Sequence, residues 1–313
     1  MEAHLTSGND FLLEALSFKP PQNTANYCLA NRSVQYFAES GNRFDPVSSR
    51  VIRFRIADQG FLEASSVRLK FTLTNLSTSA DLTPNAPCLS MFRRARLFAS
   101  SQLCEDATEL ATQASLTTRL LPADRKLNDS IEGHPLLSAY LDTYTTVAAN
   151  QSRRLISPLP FGCLNQTAWI PTHLLAGGLI MELALDDADT AFVQSNTDWQ
   201  TTDVALLANV HEIDSSLANT YAQHVLRGSP LHLHYSSVVA SRFLVTDSSF
   251  DLNMVRGYTR LRQIYWVFIE SGAKQSHTFK GPGGDDFKLA TDSYTWQVTI
   301  GSRRFSHKSK WSC

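Results

Sequence analysis

Strict alternation of apolar and polar residues, repeated in many short runs, constrains this chain more than any other feature. In residues 51–57, Ile52, Phe54 and Ile56 fall on one side of an extended chain, with Arg53 and Arg55 on the other. In residues 67–73, Val67, Leu69, Phe71 and Leu73 share a face opposite Arg68, Lys70 and Thr72. Residues 179–185 repeat the pattern with Leu179, Met181, Leu183 and Leu185, and residues 294–300 with Tyr294, Trp296, Val298 and Ile300. Successive side chains of a strand point to opposite faces, so each run reads as a strand with one buried and one wet side. That is the pattern of antiparallel sheets. Further strands are expected at 33–38, 92–99, 154–159, 204–213, 231–238 and 261–269. The last is apolar on both faces and is expected between two layers, with Trp266 buried.

Helical pattern is sparse. Asp214 is placed to cap a helix over 214–227 on which Leu217, Tyr221 and Val225 recur every four residues, with Gly228 and Pro230 to end it. Its apolar face is expected to seal the sandwich before it. A second helix is expected over 106–120, stopping before Pro122, and long loops at 77–87, 122–135 and 272–286. No strand–helix–strand rhythm runs through the chain, which excludes doubly wound folds; many short strands with few helices imply a β-sandwich. Enough strands for an eight-stranded jelly roll precede the helix at 214–227, and fewer follow it. The expected fold is therefore all-β, a double jelly-roll β-sandwich with few short helices and an incomplete second jelly roll. The expected organisation is an N-terminal arm (1–32), a first jelly roll (33–228), a partial second jelly roll (229–301) and a basic unpatterned tail (302–313).

Composition narrows the function classes. The 313 residues, 43% hydrophobic and 18% charged, suffice for two domains with real cores and lack the polar bias of a disordered chain. A formal net charge of −1 gives no long-range field to make the whole surface a nucleic-acid platform. The apolar stretch 174–185 is broken by Gly177, Gly178 and Glu182, so no membrane span is expected. Glu2 and Asp10 and the lack of a charged-then-apolar order argue against a secretory signal. Five scattered cysteines (Cys28, Cys88, Cys104, Cys163, Cys313) without a C-x-x-C pair give neither a disulfide framework nor a zinc knuckle. They suit a reducing compartment.

Several constellations resemble sites of known chemistry. His232-Leu233-His234 would present two imidazoles on one strand face, as in metal-binding cupins, but Tyr235 to Val239 supply no carboxylate and a metal needs three or four ligands. Asp186, Asp187 and Asp189 lack the glycine and terminal glutamate of a calcium loop and read as a turn. Gly281-Pro282-Gly283-Gly284-Asp285-Asp286 has no following Lys-Ser/Thr and no helix to make a phosphate cradle. Arg93, Arg94 and Arg96 are read as surface or interface arginines on alternating faces, and no G-x-S-x-G or other nucleophile set can be assembled. Arg303, Arg304, His307, Lys308 and Lys310 form a basic cluster able to touch nucleic acid or to serve as an idle end. No catalytic, cofactor-binding or metal-ligating residue is assigned, and the chain is not expected to be an enzyme.

Six blocks in order carry a resemblance to a known family. They are SGNRFDPVSSRVIRFRIADQGFLEASSVRLKFTLTN (40–75), CLSMFRRARLFASSQLCED (88–106), LLPADRKLNDSIEG (120–133), LANVHEIDSSLANTYAQHVLRG (207–228), GYTRLRQIYWVFI (257–269) and YTWQVTIGSRRF (294–305). In this order the chain resembles the double-jelly-roll major capsid proteins of tailless phages, adenoviruses, large DNA viruses and Polinton-type elements. The resemblance implies a structural shell subunit without cofactors, located in the virion capsid and made in host cytoplasm or nucleus. It further implies self-assembly into homotrimers that form pseudo-hexameric tiles, contacts with other capsid proteins, and nucleic-acid contact only through the basic tail. Family members continue past the strand matching 294–300, so the resemblance also implies a copy cut short within its second sandwich. The alternative reading is a β-sandwich module binding carbohydrate or protein. It would be marked by aromatics on one concave face, whereas Trp169, Trp199 and Trp266 fall on different elements.

Overall fold

A computed structural model describes residues 28–84, 88–129, 136–138, 143–192, 198–229, 231–247, 250–254, 257, 260–269, 279–280, 296–300 and 302–307. Its strands before the expected domain joint are β1 (Cys28–Phe37), β2 (Arg43–Phe44), β3 (Val51–Ile56), β4 (Phe61–Glu63), β5 (Arg68–Asn75), β6 (Phe92–Ala99) and β7 (Gln102–Thr108). Then come β8 (Leu136–Ser138), β9 (Thr143–Tyr144), β10 (Ser152–Pro158), β11 (Trp169–Pro171), β12 (Leu179–Leu185) and β13 (Trp199–Ile213). The helices are α1 (Leu110–Leu120), α2 (Ala123–Asp129) and α3 (Ser215–Leu226).

The long strands make two antiparallel layers, β1-β13-β5-β10 and β3-β12-β6-β7. Among these long strands in chain order, the first pairs with the last, the second with the seventh, the third with the sixth and the fourth with the fifth. That nesting is a long hairpin, out and back. Rolling it brings β13 against β5 and β12 against β6, which closes a jelly roll. The short strands β2 and β4 add to β13, and β11 to β4.

The alternation read from the sequence decides which sides face inward. Ile52, Phe54, Ile56, Val67, Leu69, Phe71 and Leu73 are all buried, whereas Arg53 and Arg55 are exposed and Arg68 and Lys70 half-buried. From the facing strands come Phe92, Ala95, Leu97, Met181, Leu183, Leu206 and Val210. Phe71 of the first layer meets Phe92 of the second edge to face, ring centroids 5.7 Å apart at 90°. Gly178 enters β12 at φ +73, where a Cβ would stand 2.4 Å from the Ile56 carbonyl oxygen, so this turn requires glycine.

The structure departs from the sequence reading in several places. β7 replaces the start of the expected helix, because Ser100 and Ser101 turn the chain at φ 48 and 70 and return it against β6. Asp106 lies on that strand, held by Arg94, and α1 begins only after Glu109 at φ 54. The expected loop 122–135 contains α2, whose first turn closes by the Lys126 N–H donating to the Pro122 carbonyl at 3.0 Å.

α3 forms as its ends predict. The Asp214 carboxylate accepts from the Ser216 N–H at 3.0 Å. At the other end Gly228, at φ +80, donates to Val225 and Ser229 donates to His224, the paired bonds of a Schellman stop. The helix does not seal the sandwich, however: none of its residues is buried, Leu226 is 85% exposed, and Tyr221 reaches only the edge of Phe61 at 5.8 Å.

Beyond α3, residues 231–247 form no strand. They run alongside the free edge of β7, where the Tyr235 hydroxyl donates to the Cys104 carbonyl and Thr108 donates to the Ala240 carbonyl, each at 3.4 Å. Of the strand expected over 261–269 only β14 (Phe268–Ile269) exists, paired with β15 (Phe279–Lys280), and Trp266 is 49% exposed instead of buried. Alternation makes a strand only where a neighbour offers backbone, and among the described residues none pairs with 231–267. β16 (Trp296–Ile300) pairs with β17 (Arg303–His307), giving structure to a stretch that carries no apolar pattern.

Phe71→Ala is expected to lower unfolding free energy by about 3–5 kcal/mol, the range for emptying a buried aromatic site, while Lys70→Ala changes it by less than about 0.5 kcal/mol. Denaturant titrations of both variants check this. The exposed Val238, Phe243, Leu244 and Tyr265 predict a second outcome: a fragment of residues 1–228 gives more soluble protein and a sharper melt than the whole chain. Equal yields, with the region after Leu231 protected from protease, would contradict it.

Candidate functional site

The outer face of the second layer is the most organised surface of the sandwich. Register aligns Arg53, Glu182, Arg96 and Asp106 in one row across β3, β12, β6 and β7, so charge alternates in sign across the whole sheet. Arg96 lies 2.7 Å from Glu182, and Arg94 grips Asp106 through two bonds of 2.8 and 2.6 Å. Asp106 holds the Arg94 guanidinium above its ordinary value. Glu39, just past β1, reaches Arg53 at 3.5 Å and Arg55 at 3.3 Å. The adjacent row, Arg55, Ile180 and Phe98, is largely apolar, and the Arg96 guanidinium sits 5.7 Å from the Phe98 ring centroid. Arg94 and Arg96 thus share a face, and Arg93 turns away to Asp187 at 3.8 Å. Each has a carboxylate partner, which leaves little uncompensated positive charge for a phosphate.

The outer face of the first layer is mixed. Phe37, Ala205, Lys70 and Ile156 align across β1, β13, β5 and β10. Phe37 is 69% exposed at the rim of a shallow depression of about 360 Å³ that Lys70, Arg154 and Asp203 also line. Asp203, at φ 53, marks the register shift between Thr202 and Ala205 that lets β13 curve across its partners.

The other candidates are distributed singly. The His232 and His234 rings lie on one side, 6.3 Å apart at 17°, in the exposed segment beside β7. Among the described residues no group of three or more His, Cys, Asp or Glu is arranged to hold a metal. Asp186 is buried, which pushes its carboxyl up, and Asp187 pairs with Arg50 at 2.7 Å. The two close a turn whose Ala188 carbonyl receives the Trp199 indole N–H at 3.1 Å. Trp199 is buried, Trp169 stacks on His211, and Trp266 stands in the irregular segment, so the tryptophans form no common platform. Arg303, Arg304 and His307 lie on β17. Residues 281–286, Lys308 and Lys310 lie outside the described residues.

Glu105 was not picked out by the sequence. Its carboxylate accepts the backbone N–H groups of Gly162 at 2.9 Å and Cys163 at 2.6 Å, tying β7 to the loop after β10. Burial pushes this carboxyl up despite those bonds, and pushes the Cys163 thiol up to about 12. The charge rows, by contrast, could have been found by carrying period two across Arg53, Glu182 and Arg96.

No family model and no curated protein matches the sequence. Solved structures do match. The PBCV-1 protein VP54, fitted into a reconstruction of the virophage Sputnik, is 14% identical, with a TM-score of 0.48 over 66% of this chain and 48% of that one. The PBCV-1 virus capsid gives 13%, 0.47, 66% and 48%, and the Faustovirus major capsid protein 9%, 0.45, 67% and 58%. These are viral capsid proteins. The chain spans about half the length of the solved chains it matches. At such identities no residue role passes from them to this chain, and the jelly roll rests on its own strand pairing.

The charge row predicts a specific asymmetry. Glu182 Oε2 is buried and accepts no hydrogen bond of good geometry, so the Arg96 charge at 2.7 Å is what offsets its desolvation. Arg96→Ala is expected to cost about 1–3 kcal/mol. The double change Arg96→Met with Glu182→Leu is expected to cost less than that single one, as a double-mutant cycle of unfolding free energies will measure.

Proposed function

We propose that this chain is a shell-forming subunit of a virus or virus-like element, a structural protein and not an enzyme. The observation that carries this reading is the nested pairing of a complete eight-stranded roll whose two outer faces carry side chains outside the core. The alternating charge row on one face and the exposed Phe37 row on the other are surfaces suited to fixing a neighbour in one register. The capsid identity of the solved proteins with similar strand arrangement supports the same role for this chain.

In this reading residues 33–228 are the first jelly roll, which β1 extends back to Cys28, and the residues before that strand are an arm. Residues 229–301 contribute strands to a second sandwich, and 302–313, whose β17 pairs back on β16, carry the basic groups through which nucleic acid would be touched. The unpaired alternation at 231–238 and 261–267 supports that assignment, because such segments gain ladders only from further strands. Three copies closing around a threefold axis would make a tile, with other capsid proteins joining the tiles, in particles formed in host cytoplasm or nucleus.

Light scattering and negative-stain microscopy across a concentration series test the proposal. Closed trimers or tiles are expected, and Arg53→Glu with Arg55→Glu should weaken them while leaving the melt within a few degrees. Protein that stays monomeric at high concentration with residues 229–301 folded would overturn it, and glycan-array binding by that monomer would favour the carbohydrate-binding module.

A further inference from the structure

At one end of the first layer three strands converge on a single imidazole. His211 of β13 lies across from Asn31 of β1 and Phe61 of β4. Its Nδ1 is 3.7 Å from the Cys28 Sγ, within the reach of a sulfur hydrogen bond, and its Nε2 is 3.3 Å from Glu63 Oε2. Trp169 of β11 lies flat on the ring, centroids 3.9 Å apart and planes within 4°. The ring is buried, so both its position and its plane are set by these partners.

The proton on the ring can be placed. The Asn209 amide donates to Glu63 Oε2 at 3.1 Å, and this bond, with help from His211, holds the Glu63 carboxyl below the ordinary carboxylate range. An ionised carboxylate only accepts, so the neutral imidazole carries its proton on Nε2 and turns the Nδ1 lone pair to the thiol. Thiol, base and orienting carboxylate then stand in the order that activates a nucleophile. The Ala30 carbonyl, also 3.7 Å from Sγ, competes for the thiol hydrogen in the resting state but cannot take the proton away. Cys28 and Glu63 touch opposite ring nitrogens, so one metal ion could not bridge them. Other charges nearby are committed elsewhere: Arg32 pairs with Asp58 at 3.3 Å, and Glu212, next on β13, is exposed on the opposite side of the strand.

We infer that Cys28 is a reactive thiol, activated by His211, that takes soft electrophiles and in particular low-molecular-weight disulfides. In the exchange, Sγ attacks one sulfur of the disulfide R–S–S–R while its proton passes to Nδ1. The S–S bond breaks as Cys28–S–S–R forms, and the departing R–S⁻ takes the proton back from the imidazolium. No net oxidant is required beyond the disulfide itself. Cys28 is half-buried, so it is not closed off from solvent as Cys88 and Cys163 are. The face of Trp169 favours the imidazolium that forms during attack. This site does not depend on the shell role and could be modified in an isolated subunit.

The protein supplies its own references. Cys104 is exposed and, among the described residues, has no imidazole against it, whereas Cys88 and Cys163 are buried. Whole protein is reacted with 4,4′-dithiodipyridine between pH 5 and 8, and each cysteine peptide is followed by mass spectrometry. Cys28 is expected to react about tenfold or more faster than Cys104 near neutrality and to lose its lead toward pH 5, since an imidazole with a proton on Nδ1 cannot take one from the thiol. His211→Gln should remove the lead, and Glu63→Gln should reduce it and displace its pH dependence. Continued silence of Cys88 and Cys163 would certify that each variant is folded. A Cys28 rate equal to that of Cys104, or a lead that survives His211→Gln in folded protein, would overturn the inference. Should Cys88 and Cys163 react in both variants, the pH dependence of the Cys28 lead in the unaltered protein decides alone: a lead unchanged in acid overturns it.

Discussion

Phe71 and Phe92 meet edge to face between the two layers, and the rest of the sandwich depends on inner faces locked in this way. Neither layer could bury its apolar side alone. Each large apolar side chain enclosed between them contributes about 1.5–3 kcal/mol, and the gain exists only when both sheets are present. The lock also sets register. A slip of one residue in β5 would turn Phe71 outward and Lys70 inward, so the core admits one pairing. Because the roll is nested, β1 finds β13 only across the whole intervening chain, with Cys28 opposite Ile213. The outermost pair is therefore the one whose closure depends most on everything inside it, and contacts of such sequence separation make folding slow.

What alternation removes from the core it places on the two outer faces, where a different logic applies. Exposed ion pairs contribute little each, yet a row that alternates in sign across four strands favours the native order of β3, β12, β6 and β7 over a shifted one. The same row discourages indiscriminate stacking, since a copy laid on it out of register would meet like charges. Edges are managed separately. β7 ends its sheet, and residues 231–247 lie along it without forming a ladder, covering an edge that would otherwise pair with any extended chain.

Much of this was legible in the sequence. The inward sets of β3, β5 and β12 follow from period two, and both ends of α3 follow from Asp214 and from Gly228. The missed elements share a cause: their local signals were absent or pointed elsewhere. The turn into β7 uses Ser100 and Ser101 at positive φ, without the glycine or asparagine that announces such turns, so the strand behind it went unread. Segments 231–238 and 261–267 failed in the opposite sense, having strand pattern but no partner backbone. The cluster at His211 was invisible for a third reason. Cys28 lies 183 residues from it and Glu63 148, and only the closed roll brings them together.

That last dependence can be followed strand by strand. Pairing of β1 with β13 delivers Cys28 to Nδ1, pairing of β4 with β13 delivers Glu63 to Nε2, and pairing of β11 with β4 lays Trp169 on the ring. β13 can serve all of these as well as β5 because it is 15 residues long: β5 pairs with it up to Leu207, and β4 takes Val210 and His211. Along its other edge β1 pairs with it from Ala205 to Ile213, so the end that carries His211 lies between β1 and β4, past the last residue that β5 reaches. A loosened core would therefore disturb the imidazole's partners before it exposed the deeply buried Phe71 or Phe92, since β1 and β11 are the outermost members of their ladders. The geometry around His211 is in this sense a local consequence of global closure, set by which strands the roll brings last to the sheet.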